Sequence, residues 1–240
     1  MASRLSAHAV WLVFLLLVAT YPLVARCGEP ATAGIRAVDF RNTSVSRCIE
    51  ILRQETVTMD LKRLTINVVV HLRPEVLRKP VTLNLSGVSW QEAFEELCAK
   101  AGARLFIERQ AFVIAQDEPD FSQFDTELAR KESAAVRARM ARIVFYAPEI
   151  EDGVTVADVV ARLAAMNPQL DPEGVGVPLR LEASEAVGDR PAEPIHLAND
   201  ASLLELLRYV TYMNGLRIEI RDGGVVLRAA GKQSKPEGTK

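Results

Sequence analysis

Ser89-Trp-Gln-Glu-Ala-Phe-Glu-Glu-Leu97, followed by Gly102-Ala-Arg-Leu-Phe-Ile-Glu108 and Phe112-Val-Ile114, decides the fold, because the chain contains this pattern twice. The second copy reads Ser202-Leu-Leu-Glu-Leu-Leu-Arg-Tyr-Val210, then Gly215-Leu-Arg-Ile-Glu-Ile-Arg221, then Val225-Val-Leu227. The serine (89 to 202) and the glycine (102 to 215) share one offset of 113 residues. A repeat at fixed spacing is read before its parts, because each copy is a supersecondary unit. Ser89 with Glu92, and Ser202 with Glu205, are capping boxes: the hydroxyl satisfies one orphan N–H and the carboxylate reaches back to another. Behind the caps, Trp90, Ala93, Phe94, Leu97 and Ala101 keep helical spacing, as do Leu203, Leu206, Leu207 and Val210. Gly102 and Gly215 stand where a helix ends in a left-handed residue. A hairpin follows each: Leu105 and Ile107 with Phe112 to Ile114, and Ile218 and Ile220 with Val225 to Leu227 through Asp222-Gly223-Gly224.

Working outward, Val81, Leu83 and Leu85 alternate with polar residues, the period of a half-buried strand, and Glu193-Pro-Ile-His-Leu197 answers them. Val38 to Phe40 and Ile143 to Tyr146 are short strands. Val45, Cys48, Ile49 and Leu52 form one helix face, matched by Val156, Val159, Val160 and Leu163, with Thr155 and Asp158 as a further capping box. Leu64, Ile66, Val68 and Val70 alternate as a strand, as do Val175, Val177, Leu179 and Leu181. Each unit reads strand, helix, strand, strand, helix, strand, strand. The expected fold is α+β: two tandem small β-α-β-β-α-β-β units, each with two helices on one face of a small mixed sheet. The units span 35–116 and 142–230, the second with about five extra residues around Glu149 to Gly153. Residues 117–141 read as a charged linker with a solvated helix, since Phe124, Leu128 and Ala135 are too sparse for a core face. Residues 231–240 read as a disordered tail.

The front of the chain is a targeting segment. Arg4 precedes a nearly all-apolar run from Ala9 to Ala19, and Leu23-Val24-Ala25 offers a cleavage site, so 1–25 reads as a signal peptide and 26–34 as the mature N-terminal segment. The chain is expected to be exported to the periplasm or cell envelope of a bacterium. Membrane attachment would follow only if the apolar run stays uncleaved or Cys27 is lipidated; Arg26 departs from the small residue a lipoprotein signal carries there. The net charge is −2 with Lys and Arg scattered, and aromatics make up 6%, so no basic stripe or stacking platform points to nucleic acid.

The string from Val81 through Ile114 resembles the short N-terminal domain shared by secretins and TonB-dependent receptors, and the related ring-building N-domains of secretins. Val38-Asp39-Phe40 leading into a helix fits the front of that pattern, and the second unit is similar but more divergent. The resemblance implies protein–protein contact in the periplasm, with an envelope protein or a secretin-like assembly as partner and a homo-oligomer as a further arrangement. It implies no catalytic residue and no cofactor. The chain carries no secretin barrel and no receptor plug or barrel, so channel and transport activity do not carry over.

No motif supplies chemistry. His71 and His196 have no second His or Cys at helical or hairpin spacing, so no metal set is expected. Glu95-Glu96 and Glu149 to Asp152 read as solvated charge, and no Gly-rich phosphate loop or nucleophile elbow occurs. The strand–helix order is compatible with an RNA-binding KH domain, but neither unit has the G-x-x-G loop between helices. Cys48 and Cys98, one on each helix of the first unit, could be a disulfide in an oxidising compartment or two buried thiols, and both readings stay open. The terminal hairpins, at Phe112, Val113 and Ile114 and at Val225, Val226 and Leu227, are expected to offer exposed edges to a partner strand. The expected function is a non-catalytic interaction or assembly module. The alternative is a hydrolase or small-ligand binder, which a cleft of convergent polar groups between the units would favour.

Overall fold

The computed structural model describes residues 35–59, 67–109, 111–151, 153–197 and 199–230. The signal segment, Cys27, Leu64, Ile66 and the tail lie outside the described residues. Among the described residues no helix is long and apolar enough to cross a membrane.

The protein is α+β with mixed sheets. The first half runs β1 (Ile35–Ser44), α1 (Val45–Met59), β2 (Asn67–His71), α2 (Pro74–Arg78), β3 (Pro80–Val88), α3 (Trp90–Ala101), β4 (Arg104–Glu108), β5 (Ala111–Ala115). Next come α4 (Ser122–Ala129), a 3-10 turn (Lys131–Ser133) and α5 (Ala134–Arg142). The second half runs β6 (Val144–Phe145), β7 (Glu149–Ile150), α6 (Val156–Leu170), β8 (Leu179–Glu182), α7 (Glu185–Gly188), β9 (Ile195–His196), β10 (Ala201–Ser202), α8 (Leu203–Met213), β11 (Leu216–Arg221), β12 (Gly224–Ala229).

The caps read from the sequence are built. Ser89 and Ser202 each accept the N–H three residues on, while Glu92 and Glu205 accept back from the serine N–H; Thr155 and Asp158 do the same for α6. Gly102 ends α3 at φ +81°, a conformation that costs a residue with a Cβ but not glycine. Ser89→Ala or Ser202→Ala is therefore expected to lower stability by ~1 kcal/mol each, seen as a small drop in the urea midpoint with an unchanged slope. A cost near zero at both positions would mean the caps do not hold these helices.

The two halves share a set of strand pairings. β2 runs parallel to β5 and β5 antiparallel to β4; likewise β8 runs parallel to β12 and β12 antiparallel to β11. β1 pairs antiparallel with β3 along its whole length, with one irregularity between Phe40 and Thr43. The second half replaces that ladder by two short antiparallel pieces, β6 with β10 and β7 with β9. β9 also pairs with β2 through His196 and Val68, so a five-stranded sheet, β4-β5-β2-β9-β7, passes from one half to the other.

That topology corrects the expected docking edges. β5, holding Phe112, Val113 and Ile114, lies between β4 and β2, and β12, holding Val225, Val226 and Leu227, lies between β11 and β8. All six residues are buried. The reason is the parallel partner: after each hairpin the returning strand slots against the earlier β2 or β8, which leaves the outgoing strand outermost. The outermost strands are β4 and β7 of the large sheet and β11 and β8 of the small one.

Two cores result. One holds Leu52, Phe94 and Leu97 against Phe112 and Ile114. The other holds Leu206, Leu207 and Val210 together with Val69, Ala111, Val113 and Ala115, the opposite face of the first half's sheet. That sheet is thus covered on both faces, and not on one as expected. The cover includes residues 121–143. Phe121, Phe124, Leu128, Val136 and Met140 are all buried in the second core, where the sequence suggested a solvated linker. The chain breaks at Arg130, which is extended (φ −60°, ψ 144°), so each short helix buries its own stripe and no single continuous stripe exists to be read. Glu127 is buried there for a reason: its Oε1 accepts the N–H of Ile220 at 2.8 Å, satisfying a donor on outermost strand β11, and its Oε2 pairs with Arg130 at 3.0 Å.

Candidate functional site: the cleft between the halves

A broad cleft of about 1450 Å³ opens where the halves meet. Its walls come from α1 (Ser46, Glu50, Arg53), the end of β2 and the turn after it (His71, Arg73), the turn after β5 (Asp117, Asp120), and β9 with its flank (Glu193, His196); Glu149 and Tyr212 close it. Strand alternation explains why His196 faces it: Ile195 and Leu197 turn into the core, so the residue between them turns out.

His196 is not isolated. Its Nδ1 lies 2.6 Å from Glu149 Oε1, the pairing of β7 with β9 having placed the two side by side. Arg53 stands near the same carboxylate. Burial lowers its pKa from the ordinary value, and Glu149 and Glu50 raise it in part. On the far wall the His71 and Tyr212 rings lie 5.0 Å apart, Tyr212 is 5.0 Å from Phe121, and the Arg208 guanidinium sits 4.0 Å over Phe121. Burial raises the Tyr212 phenol above its usual pKa, with the Asp117 carboxylate adding to it. The cleft can therefore bind a polar group by an imidazole and a guanidinium against an aromatic wall.

His71 and His196 line one cleft, although no spacing in the sequence links them. Among the described residues no group of three or more His, Cys, Asp or Glu is placed to hold a metal. Glu149 is not the solvated loop charge that the sequence suggests: it lies on β7, which falls in the extra residues of the second half, and pairs with His196. Those extra residues were the available signal. Glu95 and Glu96 lie on the exposed face of α3, as expected.

Cys48 and Cys98 are both buried, free thiols in this structure. The Cys48 thiol donates to the Thr43 carbonyl at 3.8 Å. Burial pushes the Cys48 thiol up to about 11 and the Cys98 thiol up to about 12, from 9.0. The fold thus keeps protons that the unfolded chain releases. Stability from this source is complete below pH 9 and is lost as pH rises toward 11–12. The urea midpoint is expected to fall between about pH 8 and about pH 10.5 more in the native protein than in a Cys48→Ala/Cys98→Ala variant. Equal falls would mean that the thiols ionise freely in the fold.

No family model matches the chain, and neither the curated proteins nor the solved structures include a significant match to it.

Proposed function

We propose that the chain is an exported, non-catalytic contact module of the bacterial cell envelope, built from two copies of one small unit similar to the N-terminal domains of secretins and TonB-dependent receptors. One observation supports this reading above others: the halves carry the same strand pairings and meet by strand addition, β9 docking on the free edge of β2. A scaffold that recognises its own second half through a sheet edge is suited to recognising a partner the same way. The docking strand on this reading is β4, outermost in the large sheet and carrying Ile107, a large apolar side chain that is 55% exposed.

A photo-crosslinking residue at Ile107 tests the reading in the native envelope. It is expected to trap one defined protein that the same residue at Arg217 does not. Equal or absent trapping at both positions would rule out β4 as the docking strand.

The cleft favours a second reading, a small-ligand or substrate site. Its support is the convergence of His196, Glu149, Arg53 and His71 on one space. On that reading His196→Ala removes a measurable ligand-induced rise in melting temperature; on the contact reading the same change leaves crosslinking from Ile107 intact.

A further inference from the structure

A second cavity, distinct in chemistry from the cleft, lies beside α6. Its volume is about 540 Å³, within the ~300–1,000 Å³ typical of small-ligand sites. Phe145, Ile150, Leu163 and Leu206 contribute to an apolar lining. It extends along α6 from Val159 to Leu170, which at 1.5 Å per residue is roughly 16 Å. Tyr146 is 75% exposed and Met166 40% exposed, so two large apolar side chains border it in water. Met adapts to the shape of an apolar guest better than branched residues do.

The position of this groove within the fold is informative. In the first half, the ladder of β1 to β3 carries one irregularity, between Phe40 and Thr43, where Asn42 sits at φ +51°. In the second half that ladder is interrupted between Phe145 and Glu149, and Tyr146, Ala147 and Pro148, which fill the interruption, line the groove. Ala147 sits at φ +40°, a conformation that costs a non-glycine residue. Both halves thus break this ladder with left-handed backbone, and in the second half the residues at the break line the groove; strained backbone concentrates at ligand sites.

One charge marks which end of a guest goes where. Arg162 lines the groove, is exposed, and has no hydrogen-bond or ion-pair partner among the described residues. Glu149, also in the lining, is already engaged by His196. We infer that the groove binds a long-chain carboxylate, its aliphatic chain along α6 and its single anionic head on the Arg162 guanidinium. An extended channel with one unpaired cation fits one chain and one negative charge; a polyanion would meet Glu149.

Calorimetric titration of the purified protein with dodecanoate, below its micelle concentration, tests this. One dodecanoate is expected per chain, with no binding of butyrate, which has the head but not the chain. Arg162→Gln is expected to weaken dodecanoate at least about tenfold while leaving the uncharged dodecyl maltoside unaffected. Met166→Glu, at an exposed position that spares the core, is expected to abolish binding of both, with circular dichroism confirming the fold. Absence of dodecanoate binding would overturn the inference, as would equal affinity in both variants, or binding confined to phosphatidylglycerol vesicles.

Discussion

Val210→Asp is expected to abolish the cooperative unfolding transition of the whole chain. Val210 has no exposed surface and sits on α8 in the second core. An unpaired carboxylate there costs several kcal/mol, a large part of the ~5–15 kcal/mol that holds a domain together. The effect should not stop at the second half. Val69, Ala111, Val113 and Ala115 belong to the first half's sheet but pack in the second core, and β9 occupies the edge of β2. Losing that core strips one face and one edge from the remaining sheet. Leu97→Asp, in the other core, is expected to act equally, whereas Leu97→Ala should cost about 2–5 kcal/mol and keep the transition. Denaturant melts followed by circular dichroism decide the matter. A surviving transition of about half amplitude in either Asp variant would show that the halves fold independently.

The second large effect concerns Arg208, whose side chain is only 6% exposed. Its guanidinium bonds Glu108 on β4 at 3.3 Å and Asp125 on α4, stacks on Phe121, and leaves Nε without a partner. Removing both acids, as Glu108→Ala/Asp125→Ala, leaves a buried charge uncompensated and is expected to cost about 3–5 kcal/mol. Arg208→Met removes the charge and keeps most of the stem, while the two acids remain partly exposed to water. Its cost is expected to be under about 1.5 kcal/mol. The ordering of the two variants is the test. If Arg208→Met were the more damaging, the ion pairs would be a net source of stability and not a compensated burden.

Reading the fold from the sequence succeeded where periodicity and caps agree. Ser89 with Glu92, Ser202 with Glu205, and Gly102 mark helix ends whose hydrogen bonds are local, so a few adjacent residues settle them. The neighbours of a strand are set by contacts far along the chain, and there the reading failed. Phe112 to Ile114 were expected at an edge and are central. The unbroken apolar run from Ala111 to Ala115 was the available sign, since a strand covered on both faces loses its alternation. The burial of the helices at 122–142 escaped because Arg130 splits their apolar stripe in two. The meeting of His196 with Glu149 depends on β7 lying against β9, and two-residue strands leave no periodicity to read.

The central claim, that the chain works by contact, is tested most directly by affinity capture of the tagged full-length protein from the native envelope fraction, read by mass spectrometry beside a substrate screen of the purified protein. The account predicts one envelope partner recovered in fixed proportion, lost when Ile107 on β4 is changed to Asp, and no turnover in the screen. Recovery of the chain alone, together with turnover of a substrate that His196→Ala abolishes, would contradict it.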